Sequence, residues 1–214
     1  MFRKTLIICM MAGIMASPAR AATEASGPMQ SLQKPVEQVL QILTDPRYRD
    51  GSNIKEQKEK LWAIAGDVFD FEAIAQGTLK RNRWKSFTPE QRREFTDIFT
   101  QFLGKNYFNQ IQGKFQNERI IFLSEVMKTE KKALVKTKII RKAVEIPVDY
   151  SMWKRQGRWR VYNVHVEGTS LLGNYRNEFE RVLRQDPPER LIEMLKKKVE
   201  ILTAEASEEP FEGN

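Results

Sequence analysis

Near residue 120 of this 214-residue chain the hydrophobic period changes, and that change limits the possible folds more than any other feature of the sequence. On both sides of residues 120–167 apolar residues recur every three or four positions, and within that stretch they alternate, which separates helices from a sheet. Four strand-like runs are read: Ile120 to Val126, Leu134 to Ile140, Val144 to Trp153 and Trp159 to Glu167. They are joined by short turns rich in Lys and Glu or containing Gly, so an antiparallel meander is the simplest connection. In the third run Val144, Ile146, Val148, Tyr150 and Met152 point one way and Glu145, Pro147, Asp149, Ser151 and Trp153 the other, so one face is buried. In the fourth, Tyr162, Val164 and Val166 are expected on that same face. Helices, then a sheet, then helices make the expected class α+β.

The flanking segments carry helix signals of their own. Pro28 to Thr44 places Met29, Leu32, Val36, Val39, Leu40 and Leu43 at helical spacing and ends at Asp45-Pro46. Asn53 and Asp70 stand where caps belong, before apolar stripes that begin at Ile54 and Phe71. Thr88-Pro89-Glu90-Gln91 is a capping box with proline at the first helical position, and it opens a long helix whose stripe is Phe95, Ile98, Phe99, Phe102, Leu103 and Tyr107. Helical spacing returns over Thr169 to Arg184 and again after Asp186-Pro187-Pro188-Glu189. The acidic tail, residues 205–214, reads as disordered.

The first 21 residues read as a secretory signal: Arg3 and Lys4, the apolar run Leu6 to Ala16, then Ala19-Arg20-Ala21 for cleavage. The run is too short for a membrane span, and Cys9 lies inside it behind bulky Ile7 and Ile8, which argues against lipoprotein modification. Cleavage removes Arg3, Lys4 and Arg20 and no acid, so the net charge falls from +8 to +5. It also removes the chain's one cysteine, leaving a single domain over residues 22–204 without disulfides. With one histidine besides, zinc fingers and iron–sulfur sites are excluded.

Each residue that could carry chemistry has a plainer reading. His165 is the only imidazole, and Ser170 lies in Gly168-Thr169-Ser170-Leu171-Leu172-Gly173, one residue too long for the nucleophile turn of α/β-hydrolases. Asp70 and Glu167 sit beside apolar residues that could raise a carboxyl pKa, but as a helix cap and a strand-end residue respectively they read as structural. Lys196-Lys197-Lys198 reads as a solvated helix face, because export and the lack of any nucleic-acid module argue against a nucleic-acid patch. The excess of positive charge still favours anionic membrane surfaces. Composition and spacing leave open whether the apolar sheet face and the Phe-rich helix form a filled core or border a ligand cavity.

The order of motifs adds to this. Phe69-Asp70-Phe71-x-x-Ile74-Ala75, Thr78-Leu79, Trp84, Thr88-Pro89-Glu90-Gln91-x-x-x-Phe95 and Val164-His165-Val166-Glu167-Gly168-Thr169-Ser170-Leu171 with Tyr175-Arg176-x-x-Phe179 follow one another. From about Gln33 to Leu202 the chain resembles the MlaC family of periplasmic phospholipid-binding proteins, also called toluene-tolerance proteins. It departs from the family pattern at Thr78-Leu79-Lys80, usually Ala-Leu-Gly, and at Thr169, where Val or Ile is commoner. The resemblance implies a four-stranded antiparallel sheet wrapped by helices, a nuclear-transport-factor-like core with an added helical part, enclosing an apolar lipid pocket. It implies a carrier that shuttles phospholipid between inner and outer membranes to maintain outer-membrane asymmetry, with no catalytic residue, metal or cofactor. The implied partners are an inner-membrane MCE-domain protein with its ABC transporter and an outer-membrane lipoprotein complex. On this reading Ile146, Val148, Tyr150, Tyr162 and Val164 face Phe99, Phe102 and Leu103 as pocket lining, with Phe71, Ile74 and Tyr107 beside them. The competing readings are a carrier for a hopanoid or a solvent and, behind that, a small enzyme on the nuclear-transport-factor-like fold.

Overall fold

A computed structural model describes residues 26–48, 51, 53–115 and 117–208. The expected leader, residues 1–21, lies outside the described residues, as do residues 209–214 of the expected tail. In chain order the elements are α1 (Pro28–Thr44), α2 (Ile54–Val68), α3 (Phe71–Gly77), α4 (Arg81–Ser86) and α5 (Pro89–Lys114). The strands β1 (Arg119–Thr129), β2 (Lys132–Arg141), β3 (Val144–Arg155), β4 (Arg158–Val166) and β5 (Thr169–Ser170) follow, and α6 (Leu171–Leu183) and α7 (Pro188–Glu208) close the chain.

The helix starts follow from local chemistry. Thr88 Oγ1 accepts from the Gln91 N–H at 3.2 Å while Gln91 Oε1 accepts from the Thr88 N–H at 2.9 Å, completing the capping box of α5. Asp70 Oδ1 accepts from the Ala73 N–H at 3.1 Å and so caps α3. Asn53 occupies the cap position of α2, but its amide donates to the Arg47 carbonyl at 3.1 Å. Ahead of α1 stands Gly27, which has no side chain to cap with, and the Met29 N–H instead donates to Glu125 Oε2 of β1 at 2.7 Å.

The strands pair consecutively and antiparallel in the order β1-β2-β3-β4-β5. The expected meander is present with a fifth, two-residue strand, because Thr169 and Ser170 pair with Val166 and His165 before the helix begins. Gln156-Gly157 and Glu167-Gly168 both have positive φ at each residue, the backbone of the tight two-residue hairpin turn, and glycine enters that region without steric cost. At the other end of the chain α7 continues to Glu208. The tail read as disordered from residue 205 is therefore helical over its first four residues.

Apolar side chains gather in two clusters. One is helical: Phe87, Phe95, Phe99, Phe102, Leu103, Phe179, Leu191 and Leu195 pack with Ile74 and Leu172, among α3, α5, α6 and α7. Phe95 stacks on Phe99 at 5.8 Å between ring centroids, and Phe179 meets both rings edge-on at 5.8 and 5.4 Å. Aromatic pairs in such arrangements add about 0.5–1.5 kcal/mol each beyond their burial. The other cluster lies between the sheet and the first two helices, where Leu32 of α1 and Val68 of α2 cover Ala133, Val135, Met152, Trp159 and Val161. Phe69, between α2 and α3, packs against both clusters.

Candidate functional site

The sheet face that meets α1 is the inner face, and strand register specifies what lines it. Ile120 pairs with Ile139 and Ile139 with Ile146, which makes one apolar row. The next row is Phe122, Thr137, Val148 and Val166, and the one after it joins Val135, Tyr150 and Val164. At about 4.8 Å between strands, four strands make a strip roughly 15 Å wide. The first two rows lie toward the β2–β3 turn from the residues that Leu32 and Val68 cover; Phe122 packs against that cluster, Thr137 and Val148 are buried and Val166 is exposed, and the two rows form the candidate site.

The polar atoms of this strip are tied down. The buried Thr137 hydroxyl donates to the Val148 carbonyl at 2.8 Å. Burial pushes the Tyr150 phenol up to about 12, while the Thr137 hydroxyl beside it works in the opposite sense, so Tyr150 stays neutral at any physiological pH. An uncharged, internally hydrogen-bonded strip of mostly aliphatic and aromatic residues suits hydrocarbon.

Of the expected lining residues, the sheet brings Ile146, Val148, Tyr150 and Val164 together on this face. Tyr162 is not with them. Between Ser151 and Met152 the register shifts: Ser151 opposes Asn163 and Met152 opposes Val161, so Tyr162 is the extra residue of a β-bulge. One inserted residue reverses the alternation, which puts Val161 on the inner face and Tyr162 against Trp153, with ring centroids 5.2 Å apart.

The expectation that Phe99, Phe102 and Leu103 face the sheet set is also corrected, since they belong to the helical cluster, which contains no strand residue. The stripe of α5 is satisfied by α7, α6 and α3. Ile74 is in that same cluster, and Phe71 packs on its border, stacked between Trp62 at 5.4 Å and Phe69 at 5.9 Å. Tyr107 lines an open cleft of about 470 Å³ on the helical surface with Tyr175, Asn174 and Arg181, its hydroxyl 3.3 Å from that of Tyr175. Burial together with the Tyr107 hydroxyl pushes the Tyr175 phenol upward.

The polar candidates have structural work. Asp70 is buried and satisfied: Oδ1 caps α3 while Oδ2 accepts from Trp153 Nε1 at 3.0 Å and pairs with Arg155 Nη1 at 3.1 Å. Glu167 is exposed in the β4–β5 turn, and its N–H donates to the Pro147 carbonyl at 2.9 Å. Ser170 Oγ accepts from the Gly173 N–H and from Asn163 Nδ2, both at 3.0 Å, and so caps α6. His165 Nε2 faces Asn163 Nδ2 at 3.3 Å. Lys196, Lys197 and Lys198 are paired with Glu94, Glu193 and Glu178. Among the described residues no three His, Cys, Asp or Glu side chains are grouped to hold a metal ion, and no helix is long and apolar enough to cross a membrane.

The parts of the candidate site that sequence reading missed are Thr137, Ile120, Ile139 and Phe122, and the cover by α1 and α2. The alternation of Ile120, Phe122, Thr137 and Ile139 would have located the residues. Nothing in the spacing of α1 says which surface its stripe covers.

The structure is an antiparallel meander with one apolar face, closed by helices. The comparisons specify which family builds it. The MlaC protein family profile matches residues 33–197, and the chain belongs to that family. Its relatives include the toluene tolerance protein ttg2D of Pseudomonas putida, 24% identical over 163 residues that cover 76% of this chain and 75% of that one. In fold it is similar to the phospholipid-binding protein from Ralstonia solanacearum, solved in complex with a phospholipid. That similarity has a TM-score of 0.71 at 20% identity and covers 83% of this chain and 99% of the other.

Proposed function

We propose that this protein is a periplasmic phospholipid carrier, exported by its first 21 residues. It holds acyl chains against the Ile120–Ile139–Ile146 and Phe122–Thr137–Val148–Val166 rows and leaves the head group in water. The observation that carries this reading is the apolar strip itself, in a member of a family with a phospholipid-bound structural neighbour. Bringing about 30 methylenes into water costs roughly 24 kcal/mol at about 0.8 each, so free lipid does not cross an aqueous gap quickly. A carrier whose interior matches the bilayer removes most of that barrier and leaves the net free energy of transfer near zero. Direction therefore comes from its partners: an inner-membrane MCE-domain protein with its ABC transporter, and an outer-membrane lipoprotein complex. Together they would maintain outer-membrane lipid asymmetry, and no catalysis is involved. Because the strip reads chain volume, broad selection among phospholipids is expected.

The test is mass spectrometry of an organic extract of the purified protein. Phospholipid near one mole per mole supports the reading. A hopanoid, a solvent or no lipid in protein shown to be folded would overturn it.

A further inference from the structure

We propose that the end of the sheet formed by the β1–β2 and β3–β4 turns is a docking surface for an anionic lipid bilayer. The two turns are neighbours: Lys132 pairs with Trp153, and the Lys154 N–H donates to the Lys131 carbonyl at 2.9 Å. They gather Lys128, Lys131, Lys132, Lys154, Arg155 and Arg158, with Glu130 as the one acid in the turns. Arg155 is engaged by Asp70, whereas Lys128, Lys131, Lys132, Lys154 and Arg158 form no ion pair among the described residues. Lys154 is half-buried and the other four are exposed. On α7 the arrangement is the opposite, because each lysine of the Lys196 to Lys198 run is paired with a glutamate, Lys197 sharing Glu193 with Arg190.

The composition of the patch selects the partner. A specific protein interface is centred on aromatic or other apolar side chains and is depleted in lysine, and the turn residues Thr129, Glu130, Gln156 and Gly157 supply no such centre. Long, mobile, unpaired cations on the tips of two rigid hairpins suit a fluid layer of phosphate groups, which can arrange themselves around the charges. Each Lys or Arg near an anionic leaflet strengthens attachment about fivefold, and the attraction decays within a Debye length of about 8–10 Å. Docking by this end would orient the strands toward the membrane. It does not depend on what the protein carries, so it stands or falls apart from the carrier reading.

The experiment compares co-sedimentation of the purified protein with phosphatidylcholine vesicles and with vesicles that also contain about a third phosphatidylglycerol, at low and raised salt. The wild type is expected to bind the anionic vesicles and to be released by salt. The triple variant Lys131→Gln, Lys132→Gln, Arg158→Gln is expected to lose roughly a hundredfold in attachment. Lys196→Gln, Lys197→Gln, Lys198→Gln, which changes the net charge by the same amount, is expected to stay within a few-fold of wild type. Thermal unfolding confirms that both variants fold. Equal losses in the two triples would show that only overall charge matters and would overturn the proposal. So would a wild type indifferent to phosphatidylglycerol, or a sheet-end triple that keeps vesicle binding while losing capture by an acidic partner protein.

Discussion

Asp70 is the residue on which a catalytic and a structural account of this protein differ most sharply. In Asp70→Ala, α3 loses its cap, worth about 1 kcal/mol. The half-buried Trp153 Nε1 loses its acceptor, which costs about 1–3 kcal/mol for a donor left unpaired. The Arg155 pair adds less than about 1 kcal/mol, since the guanidinium is half exposed. The sum is about 2–5 kcal/mol, a fall in Tm of roughly 4–20 °C for a chain of this size. Asp70→Asn is no gentle substitute: one oxygen must serve the cap or the indole, and the amide nitrogen then faces the other donor. Differential scanning fluorimetry of Asp70→Ala, Trp153→Phe and the double variant gives the coupling, expected to be about 1 kcal/mol or more because the two side chains are in direct contact. Lipid extracted per mole of folded protein should match wild type. A melting temperature within about 1 °C of wild type would refute the hub, and a well-folded Asp70→Asn protein stripped of lipid would refute the assignment of Asp70 to structure alone.

The bulge in β4 makes a paired prediction: Val148→Glu places a carboxylate on the inner strip and should strip bound phospholipid from whatever protein folds, whereas Tyr162→Ala should lower the melting temperature through loss of the Trp153 contact and leave the lipid in place. Extraction and thermal melts of both variants check it. Burial works to raise the Glu180 carboxyl, but Arg83 and Lys80 outweigh it and hold the group below its ordinary value. A depressed folded-state pKa stabilises above the unfolded pKa and is lost as pH falls, so Glu180→Gln should be less stable than wild type at neutral pH and converge with it as the carboxylate range is crossed downward, read from melts against pH. Glu125→Ala should remove the side-chain acceptor of the Met29 N–H, costing about 0.5–2 kcal/mol, and hydrogen exchange should rise first in the opening turn of α1.

Where the sequence and the structure agree, the interactions are short in sequence. The capping box at Thr88 and Gln91, the cap at Asp70 and the alternation of β3 each depend on residues within a few positions of one another, so their residue types suffice to read them. The corrections in β4 and at α5 involve partners that no local pattern encodes. Glu125 caps α1 across 96 residues, a pairing that exists only after β1 has taken its place at the sheet edge. The stripe of α5 reads equally well against a sheet or against α7, and the aromatic stack of Phe95, Phe99 and Phe179 is what selects the helix.

The reversal at Tyr162 shows most clearly how the site is built. Read as a regular strand, Trp159 to Val166 must choose between burying Val161 with Trp159 and burying Val164 with Val166, because the two pairs have opposite parity. The register shift at Ser151 and Met152 lets both pairs face inward. Trp159 and Val161 close the core beneath α1 and α2 with Val164 packed against them, while Val166 extends the Phe122–Thr137–Val148 row. The cost is one unpaired backbone residue, and Tyr162 offsets it by stacking on Trp153. Trp153 in turn is held by Asp70, and Asp70 starts α3, whose Ile74 enters the helical cluster. The bulge thus lets one strand line both the core and the candidate site. Deleting Tyr162 removes the bulge and leaves Trp159, Val161, Val164 and Val166 at one parity on the inner face, so the variant should fold and keep its lipid while losing the Trp153 stack: a lower melting temperature with lipid retained is the expected result, and folded protein stripped of lipid would refute this account of the bulge.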